Sequence, residues 1–390
     1  MKAFYDRKKN QWYSLEDLFL GSNSIPLIKV QAPAKNWLQF ELRSCNKNAG
    51  PIIGILTGKG KKESLAGNGP LFIALQKEVL KNQGITVVFT ADNLSEETVK
   101  GFLYSPNHNQ WVPVTCPLPH IVYNRVPFRK QEAVESFIEA AEFFSKKGIP
   151  FFNPGFLDKF NLYNVFNKSN ILKTYLPETI LNPKKNTLNT FLKQNGKVYL
   201  KPALGSKGKG IYLLTFLPNE EVKLEGVKET VVYSHFDEFW EEQKRPLQKK
   251  TYIAQKAIEP ALNEGHRYDF RILAHYNGNE HILTGVGIRQ SQSQEVTTHI
   301  PNGGVLIPYK QFQTSTHDEF FRSIVKEVGR ILTESHGFFG EFSIDAGISH
   351  QGDYYIYEVN SKPMSFDETE IEKKRIHLLS QLFFELSEYE

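Results

Sequence analysis

Residues 198–214 read Val198-Tyr-Leu-Lys201-Pro202-Ala-Leu-Gly205-Ser206-Lys207-Gly208-Lys209-Gly210-Ile-Tyr-Leu-Leu214. An apolar strand delivers a lysine at its end, and a second apolar strand begins after the glycines. Glycines 205, 208 and 210 let the backbone fold closely over something, and bare N–H groups in such a turn form an anion-binding concavity. Ser206, Lys207 and Lys209 add donors and positive charge. The GxxxxGK[ST] order is absent and no helix follows, so this is not a Walker A loop, nor is it GxGxxG. On these residues alone, a glycine-rich hairpin with solvated lysines reads equally well.

Downstream, a helix is predicted from about His317 to His336, with Thr316 and Glu319 as a capping-box pair and Gly337 as its stop. Two strands follow, Gly340-Glu-Phe-Ser-Ile-Asp345-Ala346 and Tyr354-Tyr-Ile-Tyr-Glu358-Val-Asn360. A tight turn centred on Gln351-Gly352 sets Asp345 opposite Glu358 and Ser343 opposite Asn360. Alternation then puts these four on one face, with Phe342, Ile344, Tyr357 and Val359 on the other. Facing carboxylates repel unless a cation or a proton sits between them. With an amide beside them, they suit magnesium carrying nucleotide phosphates. The competing reading is a solvated outer face of an edge hairpin.

Working outward, residues 1–45 alternate short apolar and polar pieces and read as a small N-terminal β segment. Residues 46–155 alternate strand and helix: Pro51–Thr57, a helix carrying Leu71, Leu75 and Val79, then Ile85–Phe89, His120–Asn124, a helix at about 131–147, and Pro150–Asn153. That pattern predicts an open α/β domain. Residues 156–390 form a larger α+β region, in which the polar run 219–250 reads as exposed strands and a surface helix. Asn124 and Arg125 end a predicted parallel strand, where open sheets collect ligands, and are candidate substrate residues.

Hydrophobic residues make up 40% and charged residues 23% of the 390, a globular balance, and the net charge is +4. No dense basic stripe with interleaved aromatics calls for nucleic acid. Cys45 and Cys116 lack metal-ligand spacing and suggest a reducing compartment. With neither a signal-peptide core at Met1 nor a membrane-length apolar run, the expectation is a cytoplasmic protein without a membrane partner.

Lys201-Pro202, the glycine loop, Asp345, Glu358-Val-Asn360 and Pro363 together resemble the ATP-grasp superfamily, over roughly residues 151–370. Val122-Tyr-Asn124-Arg125-Val126, Arg129, Phe152-Asn153-Pro154 and Lys159 resemble the YheC/YheD family of endospore-coat-associated proteins. The resemblance implies an ATP-grasp fold, preceded by the open α/β domain as a pre-ATP-grasp domain. It also implies a nucleotide cleft between about 156–255 and 256–370, and ATP and Mg2+ as ligands. Lys159, Lys201, Gly205, Ser206, Lys207, Gly208 and Gly210 would hold phosphates. Gln255, Lys256, Ala257 and Ile258 would form the hinge against adenine. Lys256 stands where the superfamily often has Glu, leaving Glu259 or Asp269 for the ribose. Arg271 and Arg289 would face the transferred group, and Asp345, Glu358 and Asn360 would hold magnesium.

Three functions remain open on this basis. One is a carboxylate–amine ligase working through an acyl phosphate on small-molecule or peptide substrates; another is a kinase on the same fold. The third is a spore-coat protein that retains the nucleotide site. Spore association and a homodimer are further expectations of the resemblance. His299, in the loop 297–304, reads as a solvated side chain.

Overall fold

The structure is a computed structural model that describes residues 1–60, 65–106, 109–205, 210–226, 229–291 and 304–389. Its N-terminal 50 residues form two small four-stranded sheets. Next comes a six-stranded sheet with strand order 110–117, 98–105, 85–94, 52–57, 121–124 and 151–152. The four strands from Ile85–Leu94 to Phe151–Phe152 run parallel. Ile52–Thr57 is buried at all six positions, as a central parallel strand covered on both faces must be.

The strands Thr98–Ser105 and Gln110–Pro117 form an antiparallel meander that the sequence reading did not include. Pro113 and Pro117 argue against a strand, but Gln110–Pro117 is the edge of the sheet, where proline is tolerated. The helix Glu135–Lys146 covers one face through Phe137, Ala140 and Phe144. The helix Gly69–Lys81 covers the other, joined there by Leu379, Phe383 and Phe384 of the C-terminal helix Thr369–Leu386. The last helix of the chain thus packs against one of its earliest sheets.

Two further sheets flank the candidate site. The first has the order 179–181, 252–256, 197–202, 212–216, 222–225, 230–233, backed by helices Lys185–Asn195 and Phe236–Gln248. The second has the order 305–307, 281–290, 266–276, 341–348, 354–360. Its rear face packs on the helix Ser315–His336 through Phe321, Ile324, Val325 and Val328. That helix is capped by Thr314, whose side chain accepts from the His317 N–H, and not by Thr316 as expected. Gly337 ends it at φ +95°.

Candidate functional site

The hairpin of the second sheet carries the acidic set. Asp345 lies opposite Glu358 and Ser343 opposite Asn360, but not for the expected reason. Nearer the turn, Ala346 pairs with Ile356 and Ile348 with Tyr354, one residue away from the expected register. The Ser349 N–H bonds to the Asp353 carbonyl, and Gly352 takes φ +93°. A bulge opposite the Asp345–Ala346 step then restores the register at the carboxylates. The bulge also corrects the placement of Tyr357: it lines the cleft beside Glu358 instead of joining the core face.

Arg271 pairs across the strands with Asp345 on one side and Gly287 on the other, while Asp269 pairs with Arg289. One line across four strands therefore reads Gly287, Arg271, Asp345, Glu358. Direct cross-strand partners share a face, so this surface alternates cation and anions toward the cleft.

The cleft, of about 390 Å³, lies between this face and the first sheet. Lys201 ends the strand Lys197–Pro202, and its Nζ donates to Gln255 Oε1 at 2.7 Å. Gln255 in turn donates to Thr179 Oγ1 at 3.0 Å. Burial, reinforced by the nearby Lys159 ammonium, lowers the Lys201 amine to about 8. Lys159 opens the helix Lys159–Phe166, which Asp158 caps, and its ammonium pairs with the Glu358 carboxylate. Asn360 Nδ2 donates to Asp345 Oδ2 at 3.2 Å. Burial raises the Asp345 carboxyl; Arg271 opposes the rise and Glu358 adds to it.

Arg271 is 8% exposed, and burial lowers its guanidinium to about 10. Its Nη2 donates to the Met364 carbonyl at 3.0 Å, and its guanidinium lies over the Phe366 ring. Arg289 reaches Asp367 at 3.8 Å. Arg267, which the sequence reading passed over, lines the cleft and donates to Tyr199 Oη at 2.9 Å while pairing with Asp269 at 3.3 Å. Its place two residues before Asp269, on the same strand face, was the available signal.

At the hinge, Gln255, Lys256 and Ile258 line the cleft. The Lys256 N–H bonds to the Glu178 carbonyl and the Ala257 N–H to the Lys197 carbonyl. Of the two ribose candidates, Asp269 lines the cleft, whereas Glu259 points outward, 3.6 Å from His350. Gly205 lines the cleft and Gly210 adopts φ +76°. Ser206, Lys207, Gly208 and Lys209 lie outside the described residues, as does His299.

Asn124 and Arg125, the candidate substrate residues, are not among the residues that line the cleft. Both are buried and hydrogen-bonded within the protein, Asn124 to a lysine that itself lines the cleft. Asn124 bonds Glu132 and accepts from Lys362 Nζ at 2.9 Å. Arg125 pairs with Glu341 at 3.2 Å and donates to the Pro363 carbonyl at 2.9 Å. Glu341, wholly buried, also receives two 2.7 Å bonds from Arg375 and one from the Tyr123 hydroxyl. These contacts fasten the segment that follows Asn360.

A family model described as YheC/D like ATP-grasp matches residues 148–389. The endospore coat-associated protein YheD of Bacillus subtilis (strain 168) is 28% identical over 337 residues, covering 80% of this chain and 73% of that protein. The endospore coat-associated protein YheC of the same organism is 24% identical over 290 residues, covering 70% and 79%. Among solved structures, D-alanyl-alanine synthetase A from Vibrio cholerae is similar at a TM-score of 0.52 and 12% identity, over 87% of this chain and 98% of that one. The ATP-grasp ligase PsnB complexed with minimal precursor gives 0.53 at 11% identity, over 86% and 99%. At such identities the likeness speaks for the fold.

Proposed function

The chain belongs to the YheC/D-like ATP-grasp family, and from that premise we propose that it is an ATP-dependent ligase joining a carboxylate to an amine. The observation that carries this reading is the line Arg271, Asp345, Glu358 facing Lys159 and Lys201 across one cleft. Basic groups for phosphates and oxygen ligands for a cation thus share one space.

Asp345, Glu358 and Asn360 fit magnesium. They offer carboxylate and amide oxygens, and the upward push on Asp345 from burial and from Glu358 is what a bound cation relieves. Magnesium held there would neutralise charge on the nucleotide phosphates. Lys201 binds phosphate oxygens from the strand end, and Lys159 does so on leaving Glu358. Gln255, Lys256 and Ile258 form the adenine wall, and Asp269 takes the ribose. Arg271 and Arg289 hold the substrate carboxylate and steady the phosphoryl group as it transfers. The acyl phosphate formed in the cleft is then attacked by the amine, which displaces phosphate and leaves the amide.

The two Bacillus subtilis relatives are endospore coat-associated proteins, which supports an association of this protein with the endospore coat. The direct test is thermal unfolding with and without Mg-ATP, with Mg-GTP as control, followed by ADP release with carboxylates and amines. A melting shift lost in Lys201→Ala, and ADP release that needs both substrates, are expected. No shift at millimolar nucleotide overturns the reading. Phosphate recovered on a hydroxyl would replace it with a kinase.

A further inference from the structure

Among the described residues, the chain before residue 153 sends one cation into the cleft, Arg129. It opens the short helix Arg129–Glu132, which follows the strand Ile121–Asn124. Its partly buried side chain lines the same cavity as Lys159, Lys201 and Glu358. The residue also lies outside the stretch 148–389 that the family model matches.

The guanidinium is held in place. Its Nη1 donates to the Phe156 carbonyl at 3.3 Å and its Nη2 to the Leu157 carbonyl at 2.8 Å. The Phe156 N–H in turn donates to Glu132, at the other end of the short helix, at 2.9 Å. Glu132 also pairs with Lys362, and the Phe156 ring carries Arg129 at 5.3 Å and Lys362 at 4.7 Å. Phe156 is thus gripped through its N–H, its carbonyl and its ring, just before the segment that delivers Lys159. Both Arg129 Nη nitrogens keep a second N–H, and among the described residues no carboxylate forms an ion pair with the guanidinium. A fixed guanidinium with donors to spare, at the wall of a cleft, is suited to an oxyanion.

The charges of the cleft follow an order. Lys201 feels Lys159 and Glu358 on one side, Arg267 and Asp269 on the other. Glu358 pairs with Lys159 and also acts on Arg129, whose guanidinium burial lowers while Asp158, Glu132 and Glu358 oppose the fall. From the ribose candidate, the order is Asp269, Lys201, the Lys159–Glu358 pair, then Arg129. A nucleotide with its ribose at Asp269 and its inner phosphates at Lys201 brings its last phosphate to that pair, and Arg129 stands beyond it.

We propose that Arg129 is a ligand of the terminal phosphoryl group of a bound nucleoside triphosphate. This rests on the nucleotide reading of the cleft above, and adds to it a residue from outside the ATP-grasp match. The guanidinium meets the phosphate oxygens through the N–H groups that Phe156 and Leu157 leave over. It therefore touches a triphosphate and not a diphosphate.

The test is calorimetry on the full chain with Mg-ADP and with Mg-AMPPNP, an ATP analogue whose terminal phosphate stays attached. In Arg129→Met, Mg-AMPPNP should bind about tenfold or more weakly than to the wild type, as for loss of a charged hydrogen-bond partner, with Mg-ADP affinity unchanged. Arg129→Lys keeps the charge but not the fork, and should show the same selective loss at smaller size. Glu132→Gln is the control for position. It loosens the grip on Phe156 and leaves the Arg129 charge, so the two nucleotide affinities should change by the same factor.

Equal weakening of both nucleotides in the Arg129 variants, or weakening of neither, overturns the proposal and leaves the nucleotide reading standing. A triphosphate-selective loss of the same size in Glu132→Gln overturns it as well, because the effect would then belong to the grip on Phe156 and not to the guanidinium. Failure of the wild type to bind either nucleotide removes the nucleotide reading, and this proposal with it.

Discussion

Lys159 and Glu358, 199 positions apart in the chain, form an ion pair at the cleft. Each is also half of a different function, one a candidate phosphate ligand and the other a candidate metal ligand. In the free protein the lysine thus occupies the charge that magnesium would otherwise neutralise.

That pairing gives Glu358→Gln an effect of opposite sign on two ligands. Mg-ATP binding should weaken about tenfold or more through loss of a charged oxygen ligand. ATP without magnesium should bind as well as to the wild type or better, because Lys159 is released and a negative charge is gone. The melting temperature of the free protein should move little, since partly exposed pairs contribute about 0–1 kcal/mol. Calorimetry with and without EDTA checks this; parallel weakening of both ligands would remove Glu358 from the metal assignment.

Lys201 makes nucleotide binding depend on pH. Its amine is lowered to about 8 by burial and by Lys159, so above that pH it is largely neutral in the free protein. In the unfolded chain it stays protonated to about 10.4. Between these values the unfolded state binds more protons, so this group makes stability rise with pH. A phosphate beside it favours the charged form, and binding Mg-ADP at about pH 9 should take up a proton. Calorimetry in buffers of different ionisation enthalpy should show uptake in the wild type and none from this source in Lys201→Met. Equal uptake in both would show that Lys201 does not meet the phosphates.

The reach of sequence reading differed between these residues for identifiable reasons. Asp345 and Glu358 lie on adjacent strands of one hairpin, so counting places them together. The count succeeded because a longer turn and a bulge compensate, and the bulge's other consequence, Tyr357 in the cleft, was missed. Gly285 and Gly287 leave room for Ile371 and Glu368, which arrive from more than 80 residues downstream and which no local pattern names. Asn124 and Arg125 were read as ligand residues from their place at a strand end. Their partners Lys362, Pro363 and Glu341 come from more than 200 residues away, and no local pattern encodes that meeting.

Glu341 supports the site from beneath. Burial alone would raise its carboxyl, but Arg375, His275 and Arg125 hold it well below the usual range. The resulting stabilisation is present above the ordinary carboxyl value and is lost as pH falls through the lowered one. Glu341→Gln leaves the buried Arg375 with only the partly exposed Glu372, 3.2 Å away, as a counter-charge, and leaves Arg125 without its carboxylate partner; it should cost about 3 kcal/mol, measured by urea unfolding at pH 7. A replacement within about 1 kcal/mol of wild type would show that the surrounding hydrogen bonds, and not the charge, hold this junction.

Asn153 offers the clearest separation of backbone from side-chain effects. It is wholly buried and sits at φ +55°, a conformation that asparagine tolerates and alanine resists. Its Nδ2 donates to the carbonyls of Glu341, at 2.9 Å, and Ser361, while its Oδ1 accepts from the Gly340 N–H at 3.0 Å. One side chain thereby ties the end of the strand Phe151–Phe152 to both strands of the acidic hairpin. Asn153→Gly removes these bonds but keeps the backbone geometry, and should lose about 2–4 kcal/mol from buried groups left unpaired. Asn153→Ala loses the same bonds and adds the left-handed strain, about 1 kcal/mol more. The predicted order of stability is therefore wild type, glycine, alanine, with Mg-ATP affinity falling in both variants because Ser361 directly follows Asn360. If alanine proved as stable as glycine, the left-handed backbone would carry no cost here; if neither lost stability, the tie would be dispensable.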